Sequence, residues 1–305
     1  MIDIVKKLFA IAYIFNFVCT SANAQDGLVK FSHTVFALPF AVIGYFLGIS
    51  RPGYSFDFLL FLKVLACMVT ARTAAMAFNR LIDRRIDAQN ERTRSREIPA
   101  GTISPVAATA LVAVSCLLFI LTTWTINPLC FYLSPVALSV VLGYSYTKRF
   151  TWLCHLVLGL GLSLAPIGAY LAVTGVFDFL PICFSLCVIT WVSGFDIIYA
   201  LQDEAFDRSL SLYSMPASFG KKKALGISSL LHMLSAGFVI LAGYLGDFGW
   251  LYWIGVTLFI ALLIYQHSLV KPDDLRRVNL AFFTTNGIAS LVFAIFVVGE
   301  LLLHH

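Results

Sequence analysis

Polar residues interrupt this chain at regular intervals. Between the interruptions lie apolar runs over residues 33–50, 57–78, 106–126, 129–147, 152–173, 179–202, 224–245, 250–268 and 280–301. Runs of about 20 residues are long enough, as helices, to cross a hydrocarbon core about 30 Å thick. Their periodicity and length predict an all-α, polytopic membrane protein with about nine transmembrane helices in a bundle. No polar linker divides residues 28–305, so one membrane domain is expected there.

The connectors alternate in character. One set is basic: Arg80 to Arg96, Lys148-Arg149, Arg208 to Lys223, and Lys271 to Arg277. The other set is short and poor in Lys and Arg, with Arg51 the main exception. The positive-inside rule makes the basic loops cytoplasmic, and nine spans fit the alternation without a break in phase. The segment entering the first span is then inside and the C-terminus outside. Residues 1–27 stand apart as an N-terminal extension. Lys6-Lys7, the apolar run from Leu8 to Val18, and Ala22-Asn23-Ala24 resemble a signal peptide, whose cleavage would invert every later loop. An interfacial helix or a mis-assigned start agrees better with the rest of the chain. Without an organellar transit pattern, a bacterial cytoplasmic membrane is the expected location.

Composition sharpens this picture. The chain is 60% hydrophobic and 12% charged, against about a quarter charged in a soluble domain. Its net charge of +5 belongs to membrane loops, and nothing points to nucleic acid or to a particular oligomeric state. Seven cysteines fall in or beside apolar runs without metal-ligand spacing, and Cys183 and Cys187 read as small buried hydrophobes. Trp152, Trp250 and Trp253 near span ends read as an aromatic belt.

Candidate chemistry lies at the cytoplasmic ends of the second and sixth spans. One stretch places Asn79, Asp83 and Asp87 four residues apart; the other does the same with Tyr199, Asp203 and Asp207. At helical spacing each set shares one face, and Arg72, seven residues before Asn79, and Asp196, seven before Asp203, join those faces. Corresponding members of the two sets are each 120 residues apart, with four spans between them. This predicts a parallel internal repeat whose acidic faces confront each other.

Facing carboxylates repel and resist desolvation. A divalent cation resolves both problems. Magnesium takes oxygen ligands and is usually held by one or two carboxylates plus substrate phosphates. Two acidic clusters can thus hold two magnesium ions about one diphosphate. Arg92, Arg96, Lys148 and Arg149 are placed to bind the remaining phosphate oxygens. A lone DxxxD at a helix end is ordinarily a solvated face, so the matched pair on basic loops carries the argument. His33 serves equally as an interfacial anchor or a ligand, and Lys221 to Lys223 read as topology determinants or lipid-headgroup contacts.

These residues resemble the UbiA family of intramembrane aromatic prenyltransferases. Asn79, Asp83 and Asp87 meet its NxxxDxxxD motif; Asp196, Tyr199, Asp203 and Asp207 meet the second, YxxxDxxxD with a preceding acid. Arg92 to Gly101 approaches the RTxxRP segment, with Glu97 where proline is common, and Tyr144 to Arg149 resembles the YxxxKR loop. The resemblance implies a nine-helix bundle around a lipid-open cavity. It also implies magnesium-dependent transfer of a polyprenyl chain from polyprenyl diphosphate to an aromatic acceptor. It assigns Asn79, Asp83, Asp203 and Asp207 to metal and diphosphate. It gives Asp87 the basic loop or the metal, and Arg92, Arg96 and Lys148 the diphosphate. Tyr199 would shield the developing cation and Asp196 help deprotonate the acceptor. The segment Phe31 to Phe40 resembles members acting on 4-hydroxybenzoate or on naphthoate-type acceptors of menaquinone synthesis; Arg72 is the expected anchor for either carboxylate. 4-Hydroxybenzoate, in quinone biosynthesis, is the first expectation. The rival from another class is a transporter lined by Arg72 and Asp196; Pro166 interrupts one span, but the charge clusters lie at helix ends and not at the midplane.

Overall fold

The structure, a computed structural model, describes residues 34–303. Residues 1–27 and His33, for which expectations were stated, lie outside the described residues. Within them the chain forms helices α1 (Thr34–Ile49), α2 (Phe58–Asp87), α3 (Pro105–Trp124), α4 (Pro128–Thr147), α5 (Cys154–Thr174) and α6 (Phe179–Ala200). A 3₁₀ turn, Leu201–Asp203, and two short helices, α7 (Glu204–Ser209) and α8 (Met215–Phe219), follow. Then come α9 (Lys221–Leu245), α10 (Trp250–Leu269), a π-helical segment Leu280–Thr285 and α11 (Asn286–Leu303). Eight helical stretches are long and apolar enough to span a membrane, and α1 adds a shorter apolar helix, so the nine predicted runs all appear as helices.

Local chemistry fixes several of the starts. Asp57, Ser104, Asn127 and Asp178 cap α2, α3, α4 and α6 through their side-chain oxygens, and proline opens α3 and α4. Pro39, Pro135 and Pro166 lie inside helices that continue through them. The broken helix that the transport alternative needs is therefore not formed at Pro166.

The bundle is uneven. Helices α1 and α6 are its centre: Phe40, Ile43, Tyr45, Cys183, Cys187 and Trp191 are fully buried. Helix α1 packs on α5 and α11, and α6 on α5 and α9. Helices α2, α3 and α4 form a group to one side, with Val69, Leu117, Leu118 and Val136 turned outward as a lipid-facing surface requires. Helices α2 and α6 end at the same side of the bundle, as the 120-residue offset predicts. A cavity lies between their ends.

Candidate active site

The second apolar run was expected to end at residue 78, yet α2 continues to Asp87. At 1.5 Å per residue its 30 residues extend about 45 Å, more than the hydrocarbon core, so its last turns project into the polar mouth. Asn79, Asp83 and Asp87 occupy those turns. The chain then folds back as a cap over residues 88–104. Ile98 pins this cap by packing against Ala77 of α2 and Ala108 of α3. On the other side α6 tightens into the 3₁₀ turn that carries Asp203, so the uniform helical face expected for Tyr199, Asp203 and Asp207 is bent at its middle member. All three still line one cavity of about 770 Å³ together with Asn79, Asp83 and Asp87.

Asp83, Asp87, Glu97 and Asp203 in the mouth are each matched by a base. Asp83, 1% exposed, faces Lys148 Nζ at 2.6 Å and Arg149 Nη2 at 2.9 Å, and Asn79 Nδ2 donates to it at 3.2 Å. Arg96 donates to both oxygens of Asp87 at 2.9 Å, tying the cap to α2, and Thr93 Oγ1 donates to the Asp87 carbonyl. Arg80 and Glu97 form a second tie at 3.4 Å. Arg92 grips Asp203 with a fork, one arm of which, Nε to Oδ1, measures 3.0 Å, and Asn90 Nδ2 adds a bond at 3.1 Å. Burial works against the Arg92 cation. The hydrogen bonds to Asp203, together with the nearby Tyr199, Asp203 and Asp87 charges, outweigh it and hold the guanidinium above its ordinary pKa.

Tyr199 stands at the centre of this wall. Its hydroxyl accepts from Arg92 Nη1 at 2.9 Å, the guanidinium lies 5.0 Å from its ring centroid, and Phe282 stacks on the ring at 4.1 Å. The ring already holds a cation, the Arg92 guanidinium, on its face. Phe282 belongs to the π-helical segment. Asn286 Nδ2 takes up the carbonyls of Ala281 and Phe282 there, and Gln266 Nε2 also donates to Ala281.

Arg72, Asp196 and Tyr144 also line the cavity. Arg72 Nε is sealed from solvent without a hydrogen-bond partner, and the ion pairs around the mouth leave Arg72 out. Arg72, Tyr144, Leu158 and Leu162 are shared with a second, almost wholly apolar cavity of about 310 Å³ between α2, α3, α4 and α5. A charged chamber thus opens onto an apolar one at a buried guanidinium.

Eleven of the twelve residues singled out in the sequence, Arg72, Asn79, Asp83, Asp87, Arg92, Arg96, Lys148, Asp196, Tyr199, Asp203 and Asp207, line the charged cavity. Arg149 does not. It reaches behind the wall to Asp83 and to the Ile82 carbonyl, and is placed to hold Asp83 in position. Sequence reasoning passed over Asn90, Arg80 and His155, which line the cavity as well. Asn90 continues the 3–4 spacing after Asp87, a signal that was available. His155, at the start of a span, carried none.

The donor set suits a hard cation. Asp83, Asp203, Asp207 and Asn79 offer oxygen only, from two sides of one cavity. Among the described residues no three His, Cys, Asp or Glu side chains converge as a closed protein cage. That is the arrangement in which magnesium relies on substrate phosphates for its remaining ligands.

Comparison with known proteins bears on the same residues. A sequence model described as the UbiA prenyltransferase family matches residues 37–288. A 4-hydroxybenzoate octaprenyltransferase of Nitrosospira multiformis is 31% identical over 74% of this chain and 78% of its own. One of Aeromonas hydrophila is 31% identical over 75% and 80%. The apo structure of a UbiA homologue from Aeropyrum pernix K1 superposes with a TM-score of 0.76 at 29% identity, covering 89% of this chain and 98% of that one. A UbiA homologue from Archaeoglobus fulgidus bound to GPP and Mg2+ shares the fold with a TM-score of 0.72 at 20% identity, over 90% and 98%. From its motifs, its fold and these matches, the chain belongs to the UbiA prenyltransferase family.

Proposed function

We propose that the chain transfers a polyprenyl group from polyprenyl diphosphate to the ring of 4-hydroxybenzoate, at a mouth facing the cytoplasm of a bacterial cytoplasmic membrane. The relatives named for this reaction support the choice of acceptor over a naphthoate. The observation that carries an aromatic acid is Arg72, a guanidinium with a buried, unpaired Nε where the charged and apolar chambers meet. Such a group is costly unless an anion completes it.

On this reading the diphosphate lies between Asp83 and Asp203. Asn79, Asp83, Asp203 and Asp207 would hold magnesium, which supplies charge neutralisation to the departing diphosphate. Lys148, Arg92 and Arg96, now paired with carboxylates, exchange those partners for phosphate oxygens; Asp87 keeps the cap in register through Arg96. The polyprenyl tail runs into the apolar chamber. Arg72 lies about 10 Å along α2 from Asn79, by helical rise, so it holds the acceptor carboxylate a layer deeper than the diphosphate. The allylic C1–O bond breaks and its electron pair leaves with the diphosphate. Tyr199 presents its ring face to the developing cation. The acceptor ring, enriched by its hydroxyl, bonds to C1.

The test is direct. Purified protein is incubated with labelled polyprenyl diphosphate, magnesium and either 4-hydroxybenzoate or 1,4-dihydroxy-2-naphthoate, and products are identified by mass. A prenylated 4-hydroxybenzoate that needs magnesium is expected. Product with the naphthoate alone would overturn the acceptor assignment.

A further inference from the structure

Asp196 is the one carboxylate in the cavity with a histidine against it. His155 Nδ1 lies 2.7 Å from Asp196 Oδ2. The other ring nitrogen, Nε2, accepts the backbone N–H of Met215 at 3.3 Å. An N–H pointing at Nε2 requires a lone pair there, so the proton of the neutral ring sits on Nδ1 and is donated to Asp196. The tautomer is set by backbone, from the first residue of α8.

The histidine cannot wander. It is 3% exposed, and Ser193 Oγ donates to its carbonyl at 3.0 Å, linking the start of α5 to α6 one turn before Asp196. One turn further along α5, Gly159 lets the helices meet; a Cβ there would stand 2.5 Å from the Ile189 carbonyl oxygen and from Ser193 Oγ. Asp196 Oδ1, by contrast, takes no hydrogen bond from a described residue, and Asp196 lines the same cavity as Arg72 and Tyr199.

We infer that His155 is a positioning residue. It fixes one oxygen of Asp196 so that the other, Oδ1, is presented to the acceptor ring as the base that completes substitution. This rests on the prenyl transfer proposed above. After the ring carbon has bonded to C1 of the prenyl group, that carbon still carries its hydrogen. Oδ1 takes it as a proton, the C–H electron pair returns to the ring, and aromaticity is restored. His155 itself touches neither substrate.

The experiment compares His155→Leu, His155→Asn, Asp196→Asn and the double variant His155→Leu/Asp196→Asn, with geranyl diphosphate, magnesium and 4-hydroxybenzoate. Asparagine can keep an N–H donor near the Nδ1 position; leucine cannot. His155→Leu should lower kcat about 10- to 100-fold, the range for removing a group that orients a functional one. The KM for geranyl diphosphate should stay unchanged, and His155→Asn should recover most of kcat. In the Asp196→Asn background, losing His155 should cost little more. Full kcat in His155→Leu, multiplying losses in the double variant, or equal damage from asparagine and leucine would each overturn the assignment. So would a raised diphosphate KM in both single His155 variants, which would mark the histidine as structural. If the unmodified chain forms no product, the prenyl-transfer reading itself fails, an outcome distinct from all of these.

Discussion

Asp83 shows how the mouth stores its charge. It is almost wholly buried, yet two cations and an amide converge on it. On the proposed reading, a carboxylate in that position keeps Lys148 poised to turn to an incoming phosphate. Asp83→Asn keeps the size and removes the charge, leaving Lys148 and Arg149 without their counter-ion. Turnover should fall by at least about 1000-fold, since a ligand and an organiser of the basic wall go together. Membrane insertion, read from extraction and gel filtration, should be normal; turnover within tenfold of the parent would remove Asp83 from the metal set. Arg72→Ala tests the deeper layer. A hydrogen bond to a charged group contributes about 1.5–3 kcal/mol, so the acceptor KM should rise about 10- to 100-fold while that for the diphosphate is unmoved. Lysine should rescue poorly, because it lacks the planar fork. The paired acids were legible because their spacing repeats on one helical face and again 120 residues on, and Arg72 because it is a charge on that face inside an apolar run. His155 was not, because its partner Asp196 lies on another helix and a lone histidine has no periodicity to reveal it.

Among the elements, span existence was readable and span contact was not. Apolar run length set the helices, and Asp, Ser, Asn and Pro set their starts. Nothing in the run 280–301 distinguished its π-helical opening, which depends on Asn286 and Gln266 meeting it from within the fold. Helix proximity was equally hidden. Gly44 on α1 faces the backbone of Pro166 on α5: a Cβ there would lie 2.0 Å from the Pro166 carbonyl oxygen. Gly48, one turn on, would meet the Val173 side chain at 2.7 Å. Small residues four apart allow two membrane helices to approach this closely. Gly44→Ala should therefore push α1 from α5 and cost about 1–3 kcal/mol, seen as a lower thermal midpoint in detergent. Gly237→Ala is the matched control. No atom lies within 4 Å of its Cβ, and alanine favours a helix by up to about 1 kcal/mol, so its midpoint should hold or rise. Equal loss in both variants would deny that the α1–α5 contact is close.

At the scale of the whole molecule, charge and cavity select the same side. From residue 34 on, every Lys and Arg except Arg51, Lys63 and Arg72 lies at the end of the bundle where the charged cavity opens, or in the loops there. The exceptions are restrained. Arg51 pairs with Asp178, Lys63 Nζ donates to the Thr125 carbonyl at 2.9 Å, and Arg72 lies between the two chambers. On the proposed orientation, the bias that orients helices during insertion would keep this basic mouth on the cytoplasmic side. On that reading one arrangement of Lys and Arg would both set the topology and build the wall proposed to bind phosphate. The orientation is testable with single cysteines in a chain whose native cysteines are replaced by alanine or serine. Glu91→Cys sits on the exposed cap and Ser55→Cys on the exposed loop between α1 and α2. In intact cells a membrane-impermeant maleimide should label Ser55→Cys and spare Glu91→Cys until the membrane is permeabilised. The reverse pattern would turn the mouth outward. A cleaved signal sequence or a tenth span would each give that inversion, and the diphosphate would have to be supplied from the far side of the membrane.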